Sequence, residues 1–170
     1  TLDHFTISGF HLASDNGAGI YDDGGTLTVN HGTFTSNTST GNADSGSLAF
    51  GDAAGGGAIY ANGGTVTVAD STFTSNAVTG GSANARFLAE GGSAQGGAIG
   101  GSSATITLTD SSFTSNTATG GATNAGNDAE GGRADGGALY VSGGTLIISG
   151  STFSNNSATG GSAGGATFPD

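Results

Sequence analysis

Gly56-Gly57-Ala58-Ile59-Tyr60, then Gly63-Gly64-Thr65-Val66-Thr67-Val68, then Phe73-Thr74-Ser75-Asn76 make up one unit of a pattern that recurs along the chain. The first block returns as Gly17-Ala18-Gly19-Ile20-Tyr21, Gly96-Gly97-Ala98-Ile99-Gly100 and Gly136-Gly137-Ala138-Leu139-Tyr140, so its apolar position falls at Ile20, Ile59, Ile99 and Leu139, at nearly constant spacing. The second returns around Thr26-Leu27-Thr28-Val29, Thr105-Ile106-Thr107-Leu108 and Thr145-Leu146-Ile147-Ile148, with apolar and hydroxyl residues largely alternating. Alternation with period two marks a half-buried strand. The third returns as Phe34-Thr35-Ser36-Asn37, Phe113-Thr114-Ser115-Asn116 and Phe153-Ser154-Asn155-Asn156.

A fixed period of this length is the mark of a repeat architecture. Three short strands per turn, joined by Gly, Asn, Asp and Ser corners, fit a chain in which each strand pairs with its equivalent one coil away. The expectation is an all-β fold, a right-handed parallel β-helix (β-solenoid) of about four long coils. The repeats fall at about 17–55, 56–95, 96–135 and 136–170 of a single domain spanning 1–170. Equivalent residues should stack at about 4.8 Å per coil. Phe34, Phe73, Phe113 and Phe153 are then expected to form an aromatic ladder, and Asn37, Asn76, Asn116 and Asn156 an amide ladder at a corner. An asparagine amide can donate to one neighbouring coil and accept from the other.

Each repeat also carries a segment longer than a minimal coil requires, Thr40 to Gly55, Thr79 to Gln95 and Thr119 to Asp135. Ala49, Ala89 and Ala129 keep one fixed distance ahead of the apolar residue of the next strand, and Ala54, Ala94 and Ala134 keep a shorter one. A disordered loop has no reason to hold such phase. The segments are expected to stack, as a second small-residue flank or as an additional small coil per repeat.

Composition narrows the function classes. Glycine accounts for 36 of 170 residues, charged residues for only 9%, and the net charge is −11 because 13 acids face two basic residues, Arg86 and Arg133. Nucleic acid and anionic membranes are poor partners for such a surface. No stretch approaches the roughly 20 apolar residues of a membrane span. Without cysteine there is neither a disulfide framework nor a thiolate metal site.

The pairing of Gly56-Gly57-Ala58-Ile59 with Phe73 and Asn76, and the equivalents of both, resembles the repeat of the polymorphic outer membrane proteins. Those are autotransporter adhesins in the wider pectin-lyase-like class of right-handed β-helices. The resemblance runs from about Phe5 to Gly161 and implies an extracellular or cell-surface passenger with an adhesive role towards a host surface or glycan. This chain departs from that family in placing a long segment, such as Ala77 to Gln95, between the asparagine and the next Gly-Gly-Ala-Ile block, and in lacking cysteine.

The expected function is therefore a non-catalytic structural or adhesive module. The chain starts at Thr1 within what reads as a strand, and neither Thr1 to Asn16 nor Ser162 to Asp170 reads as a capping helix. Open sheet edges of that kind call for a continuing solenoid or for end-to-end stacking into a filament. An alternative is ice binding, because Thr26, Thr28, Thr65, Thr67, Thr105 and Thr107 on one strand column, and Thr33, Thr35, Thr72, Thr74 and Thr114 on the next, resemble the threonine arrays of solenoid antifreeze proteins. Threonine also suits the outer face of any exposed strand.

A polysaccharide lyase or hydrolase is the third class. Its acids would be sought among Asp22, Asp23, Asp70 and Asp110, with Asp70 and Asp110 in one register, whereas Arg86 and Arg133 share no phase. No cofactor is required by any of these readings. Calcium is the one ion the turns could take, with Asp44 and Asp52, or Asp128, Glu130 and Asp135, supplying oxygens. His4, His11 and His31 fall in the first quarter without ligand spacing and read as surface or strand-end residues.

Overall fold

The computed structural model describes residues 1–14, 16–125 and 128–164. All regular structure among them is β, and every strand pair is parallel. The chain winds as a β-solenoid whose strands fall into six columns, designated sheets I to VI in the order that a complete coil visits them.

Sheet I holds Ile20–Asp23, Ile59–Asn62, Ile99–Ser102 and Leu139–Ser142. Sheet II holds Leu2–Asp3, Thr26–Asn30, Thr65–Ala69, Thr105–Thr109 and Thr145–Ser149. Sheet III is built on the phenylalanine strands, Thr6–Ser8, Thr33–Thr35, Thr72–Thr74, Ser112–Thr114 and Thr152–Ser154. Sheet IV follows the asparagine corner with His11–Ala13, Thr38–Thr40, Ala77–Thr79, Thr117–Thr119 and Ser157–Thr159. The extra segments supply sheet V, from Asp44–Phe50, Ala83–Glu90, Thr123–Ala125 and Asp128–Glu130, and sheet VI, from Ala54–Gly55, Ala94–Gln95 and Ala134–Asp135.

Two expectations need correction. A complete coil has six short strands rather than three, because the extra segment is itself ordered in register, with Ala49, Ala89 and Ala129 aligned in sheet V and Ala54, Ala94 and Ala134 in sheet VI. The complete turns number about three rather than four. They begin at Ile20, Ile59 and Ile99, while the first coil contributes only to sheets II to IV and the last described coil only to sheets I to IV. The segment beyond Gly164, where a capping helix was sought, lies outside the described residues.

The coils that begin at Ile59 and Ile99 are divided internally by two lines of glycine. At the first, Gly57 and Gly97 pack against the backbone of Ala77 and Thr117, so that sheet I starts in contact with sheet IV. The second is a neck through which sheet V is reached and left. Gly80-Gly81 leads out and Gly91-Gly92 leads back, with Gly120-Gly121 and Gly131-Gly132 doing the same one coil on.

Outgoing and returning backbones alternate in one hydrogen-bonded zipper through this neck. The N–H of Gly81 donates to Asp52 O, that of Gly92 to Gly81 O, that of Gly121 to Gly92 O and that of Gly132 to Gly121 O, all at 2.8–2.9 Å. No side chain fits there, since a Cβ on Gly81 would overlap the carbonyl of Asn42 and one on Gly92 the carbonyl of Asp52.

The interior is consequently three cores. The largest, enclosed by sheets I to III, contains Val29, Ile59, Val66, Val68, Ile99, Ile106, Leu108 and the rings of Phe34, Phe73 and Phe113. A thin one between sheets IV and VI holds Ala54, Val78, Ala94 and Ala118. The small lobe has Ala49, Ala83, Ala85 and Ala89, with Thr123 buried in the column of Ala83, so this narrow coil is filled by small side chains.

If the neck depends on backbone contact, adding one methyl group there is severe. Gly81→Ala should lower stability in urea unfolding by more than about 3 kcal/mol or abolish a single cooperative transition. Gly160→Ala, at the equivalent of Gly80 in the last described coil, has its nearest neighbour at 3.7 Å and should stay within about 0.5 kcal/mol of the parent.

Candidate functional site

Corners decide which side chains this solenoid turns inward. Between sheets II and III the chain turns through a left-handed residue on every described coil, His4, His31, Asp70, Asp110 and Gly150, with φ between 46° and 61°. Between sheets III and IV it does so at Ser36, Ser75, Ser115 and Asn155, with φ between 53° and 55°. After Asp70, Asp110 and Gly150 at the first corner, and after all four left-handed residues at the second, the next residue belongs to a polar ladder.

At the III–IV corner that residue is asparagine. The Oδ1 of Asn76 accepts from both N and Nδ2 of Asn37, at 3.1 and 3.0 Å, and the Oδ1 of Asn116 accepts likewise from Asn76. Asn156 repeats this for Asn116 at 2.8 and 2.9 Å. The second hydrogen of each Nδ2 goes to a carbonyl of the preceding coil, Asn76 to Phe34 O and Asn116 to Phe73 O, at 3.0 Å. The donor and acceptor capacity of each buried amide is thereby satisfied.

The II–III corner has a serine ladder that the sequence reading missed. Gly32 N donates to Ser71 Oγ, Ser71 N to Ser111 Oγ and Ser111 N to Ser151 Oγ, at 3.0–3.1 Å. Each hydroxyl then donates to a carbonyl just upstream, Ser71 to Ala69 O and Ser111 to Thr109 O. The signal was the serine shortly before Phe73, Phe113 and Phe153, at Ser71, Ser111 and Ser151. The phenylalanine rings of the same strands stack with centroids 4.6, 4.7 and 4.8 Å apart and planes within 7° of parallel. Phe34, Phe73 and Phe113 are fully buried, whereas Phe153 in the last coil is 42% exposed.

The threonines line the outside. Thr26, Thr65 and Thr105 are in register in sheet II, as are Thr28, Thr67 and Thr107, and the columns end in Thr145 and Ile147. Thr33 and Thr72 continue to Ser112, and Thr35, Thr74 and Thr114 to Ser154, in sheet III. All of these threonines are exposed or half-buried. The two arrays belong to different sheets, separated by the His31, Asp70 and Asp110 corner, so each face is two or three columns wide.

The acids are dispersed. Asp70 and Asp110 sit exposed on adjacent coils above a shallow groove lined by Ser71, Thr72, Ser112 and Gly150. Asp23 accepts from Asn62 Nδ2 at 2.9 Å. Asp22 is placed in the inward column of Ala61, with its Oδ2 enclosed and unpartnered.

Of the calcium candidates, Asp44 accepts from the backbone N–H of Ser45 and Phe50, and Asp52 from Asn42 Nδ2. Asp128 and Glu130 are on sheet V, while Asp135 is on sheet VI beside Arg133 Nε at 2.7 Å, an interaction that raises the Arg133 pKa above its ordinary value. The structure does not bring Asp128, Glu130 and Asp135 together. Glu90 and Glu130 stack in register and border, with Phe50 and Arg133, an open cleft between the lobes. Arg86 lies elsewhere on the small lobe, its guanidinium 5.9 Å from the exposed Phe87 ring.

Tyr21 and Tyr60 stack 6.0 Å apart outside sheet I, and burial, reinforced by Tyr21 and Tyr140, pushes the Tyr60 phenol pKa up. His11 is an exposed strand residue. His4 and His31 are brought together with Asp3, which the spacing did not foretell because the first coil lacks the small lobe and is much shorter than those that follow. The chain matches no family model, no curated protein and no solved structure in comparisons with known proteins.

Removing one amide from the ladder strands the groups it served on both sides. Asn76→Ala should destabilise the protein by about 3 kcal/mol or more in denaturant unfolding, at about 1–3 kcal/mol for each buried group left unpaired. Thr74→Ala, on the neighbouring strand but facing outward, should change stability by no more than about 0.5 kcal/mol.

Proposed function

We propose that this chain is a non-catalytic structural or adhesive module that works outside the cell or at its surface. The observation that carries this reading is the repetition of the outward surface itself. Hydroxyl columns recur at each coil across sheets II and III, presenting the same small polar groups at about 4.8 Å intervals. A surface of that kind suits an extended or polyvalent partner, such as a glycan chain or a host surface, because weak contacts add along the axis. The Gly-Gly-Ala-Ile and Phe-x-x-Asn signature adds support, since it resembles the repeat of the polymorphic outer membrane proteins, autotransporter adhesins of the pectin-lyase-like class.

Stacking of coils on coils belongs to the same reading. Leu146, Ile148 and Phe153 occupy columns whose members in the coils that begin at Ile59 and Ile99 are buried, and a further coil, from the same polypeptide or a second copy, would cover them. Retention on glycan- or matrix-coated surfaces, without release of cleaved sugar, is the expected result of a binding and turnover assay. Release of oligosaccharide that disappears in Asp70→Asn or Asp110→Asn would replace this reading with an enzymatic one.

Ice binding is a second reading, favoured by the register of Thr26, Thr65 and Thr105 with Thr28, Thr67 and Thr107 on one sheet. It predicts thermal hysteresis and faceted ice crystals, both weakened by Thr67→Tyr at the centre of the array. Unfaceted ice that grows as soon as a solution of the unaltered chain is cooled below its equilibrium melting point would remove it.

A further inference from the structure

The left-handed corner between sheets II and III carries ligand-type side chains on successive coils, His4, His31, Asp70 and Asp110. At its first two positions they converge. The Oδ1 of Asp3 lies 2.9 Å from His4 Nδ1 and 3.0 Å from His31 Nδ1, and the two imidazoles stack with centroids 4.2 Å apart and planes 19° from parallel. The three ligand atoms all fall within 4.8 Å of one another, and among the described residues this is the only group of three or more histidine or acidic side chains that does so. The hydrogen bond from His31 is the chief influence holding the Asp3 carboxyl below its ordinary pKa, with His4 adding to it.

We propose that Asp3, His4 and His31 form a binding site for a divalent transition-metal ion, Zn²⁺ above all, that ties the first coil to the second. Two imidazoles and a carboxylate are the donor set of a three-ligand zinc site with a fourth position open to water. Tetrahedral ligands at about 2.0–2.1 Å from zinc are roughly 3.3 Å from each other, so each carboxylate-to-imidazole separation opens by only a few tenths of an ångström, while the two imidazoles rotate out of their stack to turn both nitrogens to one ion. All three side chains are half or more exposed, which leaves them free to make that adjustment and leaves the fourth position accessible. Nitrogen donors select zinc, nickel or copper over calcium and magnesium, which take oxygen shells.

Asp3 and His4 belong to one coil, and His31 holds the position of His4 on the next. Strand pairing joins those coils at Leu2–Asp3, Thr6–Ser8 and His11–Ala13. A metal across the corner therefore holds the register of two coils that no small lobe yet links.

The test uses the full chain stripped of metal by a chelator and titrated with Co²⁺, whose visible absorption reports a low-coordinate nitrogen and oxygen site. One equivalent should bind, be displaced by Zn²⁺ and not by excess Ca²⁺, and raise the thermal unfolding midpoint. His31→Asn, which preserves a residue tolerant of the left-handed corner, should weaken binding at least tenfold and remove the thermal shift, whereas His11→Asn should leave both unchanged. Asp3→Asn supplies a second variant outside the core, with the same loss expected. Absence of the cobalt spectrum, or affinity undiminished in His31→Asn and Asp3→Asn, would overturn the site.

Discussion

Backbone pairing between a strand and its own equivalent one coil away is the constraint on which everything else in this molecule depends. A parallel ladder with this period places every residue about 4.8 Å from a copy of its own position. A side chain is therefore acceptable only if it tolerates its neighbour in the column. Phenylalanine meets that test by stacking, asparagine by passing its amide hydrogens along the axis, and serine by accepting from the next backbone N–H. Charges repel their own copies, and the acids that do stack, Asp70 on Asp110 and Glu90 on Glu130, are exposed, where water screens them. The inward Asp22 departs from this pattern and shares its column with Ala61, Gly101 and Val141 rather than with another acid.

Glycine solves a different problem. A coil as long as one complete repeat, wound as a single loop, would enclose more space than its side chains can fill, so the chain pinches itself twice and makes three narrow cores. The pinch is possible only where backbone meets backbone. At the neck, outgoing and returning segments satisfy each other's N–H and carbonyl groups in alternation, so the interior polar groups of a wide coil are paired without side chains. The small lobe that results carries Leu48, Phe50 and Phe87 on its outside, a use of large apolar residues opposite to that in the main lobe.

The same stacking shapes what the surface can do. Outward positions repeat as faithfully as inward ones, so the faces of sheets II and III are arrays rather than pockets, and a binding reading fits them better than a catalytic one that needs distinct groups converging at one point. Convergence is found where the repeat is least regular. The short first coil brings Asp3 and His4 against His31, at a corner whose later coils carry aspartate and glycine.

The sequence by itself determined the solenoid, its period, the identity of the phenylalanine and asparagine columns and the in-phase order of the extra segments, because each of these is a property of spacing. Spacing does not report where backbones touch. Tertiary structure alone decided that the extra segment closes into a lobe through a glycine neck, although the dyads at 80–81, 91–92, 120–121 and 131–132 were there to be read. It also set a left-handed corner between the two threonine arrays and put Asp135 on a different sheet from Asp128 and Glu130. The histidine pair was illegible for the same physical reason in reverse. His4 and His31 are neighbours across one coil in space, yet their separation along the chain falls well short of the repeat period, and only the path of the first coil, without a lobe, makes those two distances equivalent.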